Sequence, residues 1–188
     1  MLDTIAMSWG LSLLHAGMCA VAGMVFLSSG HSQFANSFMM KCAKCSFLYF
    51  GIDSLVFALP GRHWDLLMHH GACLAIIAHI LGNANRLAFM KYVGLLNLVE
   101  ISCIPRNIFW FKPCAFTRTL TLFVYPILRF PIFTFILYSL TMRDWKILTA
   151  SAGTKWAPLM FSLATFGFLA GSVNWFSKFA QSPCVENL

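Results

Sequence analysis

Apolar residues run along this chain in long, nearly unbroken stretches, and the residues between them are turn formers. Crossing a bilayer takes about 20 mostly apolar residues, fewer where a helix is partly covered by protein. Six stretches meet that requirement: about Ile5–Ser28, Cys45–Leu59 (the shortest), Leu66–Leu81, Leu87–Ile104, Thr119–Thr141 and Trp156–Phe176. Ser28-Ser29-Gly30-His31-Ser32 breaks the first, Pro60-Gly61-Arg62 the second and Gly82-Asn83-Ala84-Asn85 the third. Pro105 is expected to stop the fourth, and Lys112-Pro113 to lie in the loop after it. Short connections predict antiparallel neighbours. With no linker, repeat or low-complexity stretch, residues 1–188 read as one polytopic domain. The expected fold is all-α and integral to a membrane, with about six transmembrane helices in one bundle and both termini on one side.

Composition supports this pattern. Apolar residues make up 59% of the 188 and charged residues only 10%, against about 25% charged in a soluble domain. That is too little charge to cover a water-facing globule, and the shortfall is explained if most of the surface meets lipid. The net charge of +7 comes from cations spread singly between the apolar runs. Such cations set topology and meet anionic headgroups; nucleic acid, which needs a clustered basic stripe, is excluded as a partner. Arg62, Arg106, Lys112, Arg118 and Lys178 fall on the side of the termini, and Lys41, Lys44, Arg86, Lys91, Arg143, Lys146 and Lys155 on the other. The second side is slightly favoured as cytoplasmic.

Seven cysteines, an odd number and several of them inside apolar runs, do not form a secreted disulfide framework. Cys42 and Cys45 make a CxxC without a partner pair and read as small buried or interfacial thiols. The start Met1-Leu2-Asp3-Thr4 lacks a basic leader pattern, so the first span is expected to be retained. The end Cys184-Val185-Glu186-Asn187-Leu188 carries no retention signal.

Ionisable groups inside a membrane are costly, so each one needs a reason. Asp53 lies midway through the second span. Asp65, His69 and His70 open the third, with His79 deeper in it. Asn97 and Glu100 lie in the fourth, and Arg129 lies in the fifth between Pro126 and Pro131. Asp65 and His69 are four apart and are expected to share a helix face and hydrogen-bond. A carboxylate there would fix the imidazole tautomer. His69, His70, Asp53 and Asp65 are therefore the candidates for acid–base chemistry. Glu100 is the expected partner of Arg129, and the alternative role for all these groups is to glue the bundle together. Asp53, the histidine pair and Glu100 are expected to line one interior cavity. No metal and no cofactor are expected: adjacent histidines point about 100° apart on a helix, and a His-x-x-x-His pair is missing.

The order of these features resembles the TLC-domain family, which includes TRAM, the ceramide synthases and a neuronal lipofuscinosis protein. Tyr49-Phe50-Gly51-Ile52-Asp53 is similar to the family's "YF-x-x-D" helix, and Asp65 with His69-His70 to its "D…HH" segment. Asn83-Ala84-Asn85-Arg86 resembles the "N-x-x-R" that follows the histidine pair in ceramide synthases. Asn97-Leu98-Val99-Glu100-Ile101-Ser102 with Pro105 to Trp110 resembles the "E-x-S-x-P…N-x-R-W" stretch of non-synthase members, and Leu128-Arg129-Phe130-Pro131 the penultimate helix. The likeness is good over about residues 45–140, and the TLC-like core extends over about 45–176.

The resemblance implies a helical bundle around a lipid tunnel, with an acyl chain inside and its polar head against Asp53, His70, Asn83, Arg86, Asn97, Glu100 and Arg129. It favours the endoplasmic reticulum, with the mitochondrial inner membrane as the alternative. One departure matters. Where ceramide synthases carry "H-D-x-x-D", this chain reads Leu96-Asn97-Leu98-Val99-Glu100, which argues against acyl transfer from coenzyme A. Three readings follow. The chain is a membrane protein that binds or senses lipid, sphingolipid-related by resemblance; or an N-acyltransferase with His70 as base or nucleophile; or an accessory subunit of a larger membrane complex, with membrane-protein partners. Transport is disfavoured, since there is no inverted repeat and no ring of acids.

Overall fold

Helix is the dominant local solution because the apolar runs are long and carry few breakers. The computed structural model describes residues 2–29, 32–82 and 87–181. Among them there is no strand. α1 is Leu2–Ser28 and α2 is Gln33–Asp53, prolonged by a π-helical turn at Ser54–Ala58. α3 is Trp64–Gly82. α4 (Leu87–Val99) passes through a 3-10 turn at Glu100–Ser102 into α5 (Cys103–Phe111). α6 is Ala115–Tyr138, prolonged by a second π turn at Ser139–Arg143. A short α7 (Trp145–Ala152) precedes α8 (Trp156–Gln181). Five segments are long and apolar enough to cross a membrane: Trp9–Ser28, Trp64–Gly82, Ala88–Phe111, Ala115–Arg143 and Trp156–Gln181.

Three expectations need correction. The second helix does not begin near Cys45. It starts at Gln33, where Ser32 caps it by accepting from the Ala35 amide at 3.1 Å. Lys41 and Lys44 lie near its middle, so apolarity alone hides its start, and α2 is not among the five membrane-length segments. Pro105 does not end the fourth span. It occupies the first turn of α5, where no intrahelical donor is needed, and the rod runs on to Phe111. α7 lies in what the sequence presents as a connector, closed by Gly153 in the left-handed region at φ 66°.

α1 packs against α4, α2 and α5; α6 packs against α8, α5 and α4; α2 packs against α3. The core between them holds Phe26, Met39, Ile80, Phe89, Phe133 and Phe161. Outside, Leu14, Phe34, Leu48, Phe116, Phe123 and Leu163 are exposed. Apolar surface distributed this widely suits a lipid environment rather than water. α1 and α4 approach most closely at Gly23. A Cβ built there would lie 2.8 Å from both the Gly94 carbonyl oxygen and the Leu98 nitrogen.

At the end where α4 begins, Asp144 ties three elements together. Its carboxylate accepts from Lys91 Nζ at 2.5 Å, from Arg143 Nε at 3.2 Å and from the Tyr92 hydroxyl. Burial alone pushes this carboxyl up. The hydrogen bonds from Arg143, Lys91 and Tyr92 outweigh that and hold it well below the usual carboxylate range.

Two predictions follow from these contacts. Gly23→Ala meets backbone on two sides and should cost about 1–3 kcal/mol through overpacking. Gly17→Ala, on the same helix with open space around it, should leave the melting temperature in detergent unchanged or slightly raised; equal behaviour of the two would refute the close approach. Asp144→Asn should destabilise by about 1.5–3 kcal/mol at neutral pH, as expected for lost bonds to charged donors. A carboxyl depressed in the folded state contributes fully above its unfolded value of 3.8 and loses that contribution as pH falls towards the folded value. The gap between wild type and Asp144→Asn should therefore narrow below about pH 4, measured as paired thermal melts from pH 7 downwards.

Candidate functional site

Each long rod contributes its middle to one polar centre. There a cavity of about 70 Å³ is lined by His15, His69, Asn97, Glu100 and Arg129 among apolar neighbours that include Val93, Ile77, Phe133 and Phe168. Such a void is less than half of the roughly 150 Å³ that admits benzene, and it suits a few water molecules. It has no room for an acyl chain.

Arg129 dominates the centre. It is 6% exposed and lies in the interior of α6. Its Nε donates to Ser102 Oγ at 2.8 Å, Nη1 to Ser172 Oγ at 3.2 Å and Nη2 to Cys103 Sγ at 2.7 Å. Glu100 Oε1 stands 4.0 Å from Nη2, and the guanidinium carbon lies 4.6 Å from the centre of the Tyr125 ring. The expected pair with Glu100 is present, but its geometry is long-range and the direct donors go to hydroxyls and a thiol. The 3-10 turn explains the arrangement. It brings Glu100, Ser102 and Cys103 within reach of one side chain, and Ser102 Oγ remains anchored by donating to the Val99 carbonyl at 2.7 Å. Asn97 Nδ2 lies 2.9 Å from Met39 Sδ.

The other candidates divide. His70 is buried, with Nδ1 3.1 Å from Ser54 Oγ and 3.7 Å from Asp53 Oδ2. Both partners meet the same ring nitrogen, whereas a serine–histidine–aspartate relay needs the hydroxyl and the carboxylate on opposite nitrogens. The first residue of the π turn supplies Ser54. Phe50 meets both imidazoles, tilted against His70 with ring centres 5.1 Å apart and edge-on to His69 at 6.2 Å. It separates the Asp53–His70 pair from the central cavity, so the expected single cavity resolves into a cavity and an adjacent dyad. Asp65 does not pair with His69. It is exposed in the first turn of α3, where a carboxylate is solvated. His69 instead meets Phe168 at 5.0 Å and the Cys73 thiol at 3.8 Å. Asn83 and Arg86 lie outside the described residues.

His15 belongs to the centre and is missing from the sequence candidates. Its Nε2 lies 2.9 Å from Ser46 Oγ and its ring stacks on Tyr49 at 4.1 Å. An imidazole in the middle of an apolar run meets the same criterion that singled out His79, so the signal was available. Cys42 faces Cys19, with sulfurs 3.8 Å apart, while Cys45 is exposed. The CxxC pair therefore does not act as a unit. Among the described residues no cluster of three or more His, Cys, Asp or Glu is arranged to hold a metal.

A second void, a groove of about 560 Å³, opens between α3 and α8. Ala72, Ala75, Met160, Leu163 and Ala164 line its inner part. His79, Thr154 and Trp156 lie towards the end where α3 finishes and α8 begins. It is apolar along its length, polar at one end and large enough for a lipid chain.

Comparison with protein-family models, with curated proteins and with solved structures returns no match. The functional reading therefore depends on the chain's own geometry.

The Arg129 network makes a graded prediction. Arg129→Met strands Glu100 near the centre of the bundle and leaves Ser102, Ser172 and Cys103 without their donor. A loss of about 3–5 kcal/mol is expected for breaking a buried pair from one side. Glu100→Gln should cost less, because the guanidinium keeps three direct partners. The double variant should be more stable than the sum of the two losses implies, since neither charge is then stranded. Simple additivity of the thermal shifts in detergent would show that the two groups do not interact.

Proposed function

We propose that this chain is an integral membrane protein whose six rods, α2 included, cross the bilayer, and that it binds a membrane lipid without acyl-transfer chemistry. The groove between α3 and α8 carries this reading. It has the volume of an acyl chain, an apolar floor made by alanines, and polar groups at one end. A lipid would lay its chain along Ala72, Ala75 and Ala164 and its polar part towards Thr154 and His79. The central cavity is too small for the chain, so the ligand occupies the side of the bundle rather than a tunnel through it.

The TLC-like order of motifs supports a lipid ligand, sphingolipid-related by that resemblance, and favours the endoplasmic reticulum. The chemistry of the centre argues against transfer. His70 has both partners on one nitrogen, His69 lies among aromatic rings, and the fourth rod offers Asn97 where ceramide synthases have an acid.

Mass spectrometry of the protein purified in mild detergent tests this directly. A defined lipid class should be retained at near-unit stoichiometry, and Ala164→Phe, which fills the groove, should reduce it at least about tenfold, the equivalent of 1.4 kcal/mol, while leaving the melting curve nearly unchanged. Retention of only bulk membrane lipids, or equal retention by the filled variant, would refute the assignment.

A further inference from the structure

The outer face of α2 carries charge at a depth where lipid cannot satisfy it. The central cavity marks that depth. Arg129 is the middle residue of the 29-residue segment Ala115–Arg143, and the same cavity is lined by Cys73 of Trp64–Gly82, Glu100 of Ala88–Phe111 and Phe168 of Trp156–Gln181, each near the middle of its segment. α2 reaches this level with Ala43 and Ser46, which line the cavity from its inner face. Lys44 lies between those two residues in sequence and points the other way. It is exposed, as is Lys41 one turn earlier. Together with Phe34, Ser37, Leu48 and Ile52 they form one exposed stripe.

Cations at the level of the bundle's centre, facing outward, are not where membrane proteins leave them: ionisable side chains in spans face the bundle interior, a water-filled cavity or an opposite charge. A lysine near a span end can snorkel to the interface, but one at mid-depth is too far from either end. Lipid headgroups lie at the bilayer surface and do not reach it.

We propose that this stripe docks a membrane-spanning segment of another protein that presents an aspartate or glutamate to Lys41 and Lys44. Among the described residues, a second copy of this chain offers no acid for this role. Of its six acids, Glu100 and Asp53 are engaged inside the bundle, Asp65 and Asp144 lie at helix ends, Asp3 is in the first turn of α1, and Glu186 is outside the described residues. No described acid is exposed at the depth of Lys44. The inference rests on the membrane-spanning reading of α2, and it is independent of what the α3–α8 groove holds.

The test uses the full chain in its native membrane. Dicyclohexylcarbodiimide, which enters bilayers, activates a buried carboxylate; a neighbouring lysine amine then forms an amide, and the lost water is taken up as the dialkylurea. Peptide mass spectrometry should find Lys41 or Lys44 joined to an Asp or Glu within an apolar segment of a different protein. The adduct should vanish in the Lys41→Gln/Lys44→Gln variant while its melting curve in detergent is kept. Cys45, exposed beside the stripe, serves as a native reporter. It should react with a water-soluble maleimide at least ten times more slowly in the membrane than in the isolated chain in detergent.

Equal rates in the two settings would mean a water-lined face and would overturn the proposal. So would an adduct to a lipid carboxylate, an adduct to a second copy, or no adduct at all. Two-sided labelling of single cysteines at the two ends of α2, Ser32→Cys and Leu59→Cys in a chain otherwise free of cysteine, separates the two levels of failure. If they react from opposite sides of the membrane, only the docking is wrong; if they react from the same side, the spanning reading of α2 fails with it.

Discussion

A guanidinium in the middle of an apolar bundle has to be satisfied, and much of the architecture can be read as the means of doing so. Arg129 on α6 reaches Ser102 and Cys103 at the start of α5 and Ser172 on α8, with Glu100 behind them. These contacts fix three rods in register as well as in proximity. A slide of α8 by one helical turn, about 5.4 Å, would remove Ser172 and bring an apolar side chain to a buried donor. Apolar packing alone specifies register weakly, because one leucine or phenylalanine can replace another along a stripe. A polar network with directional bonds removes that degeneracy.

The same requirement explains the break in the fourth rod. In a continuous α-helix Glu100 and Cys103 would be offset by about 60° around the axis. The 3-10 turn eclipses residues three apart, so both face α6 with Ser102 beside them, and Pro105 sits in the first turn of α5, where its missing amide does no harm. The small polar cavity lies beside this turn, where side chains chosen for hydrogen bonding do not interdigitate as tightly as aliphatic ones. Its volume of about 70 Å³ suits a few water molecules beside the arginine.

Which parts were legible in the sequence depended on whether the signal was one-dimensional. Long apolar runs located five of the rods, with the end of the fourth set too early at Ile104 instead of Phe111, because a segment apolar on all sides stands out in any window. α2 was placed too late in the chain because it is two-faced: Ala35, Met39, Cys42 and Ala43 are buried while Lys41 and Lys44 are exposed, and an average over the window cancels the two. Arg129 and Glu100 were identifiable from the cost of burying charge. Asp65 and His69 were paired from spacing, but spacing ignores that the first turn of a helix sits at the edge of the bundle, where a carboxylate prefers solvent. His15 is the complementary case: an imidazole in the middle of an apolar run, it meets the same rule as His79 and lies buried at the centre. The π turns after Asp53 and Tyr138 left no sequence trace, since they depend on how the ends of α2 and α6 meet their neighbours.

Side-chain size within a single helix pair carries the remaining information. Between α3 and α8, Ile76, Phe161 and Phe168 fill the side towards the core, while Ala72, Ala75, Ala157 and Ala164 line the side towards the groove. Bulk on one side holds the helices apart at the spacing of aromatic packing, and alanine on the other leaves that spacing unfilled. The groove is therefore not a packing defect that a slight shift of α8 could close, because closing it would drive Phe161 and Phe168 into Phe89 and Phe133, which they already meet at ring-centre distances of 4.9 Å and 6.1 Å. A well-packed core tolerates such overpacking poorly. The interior thus keeps the groove open.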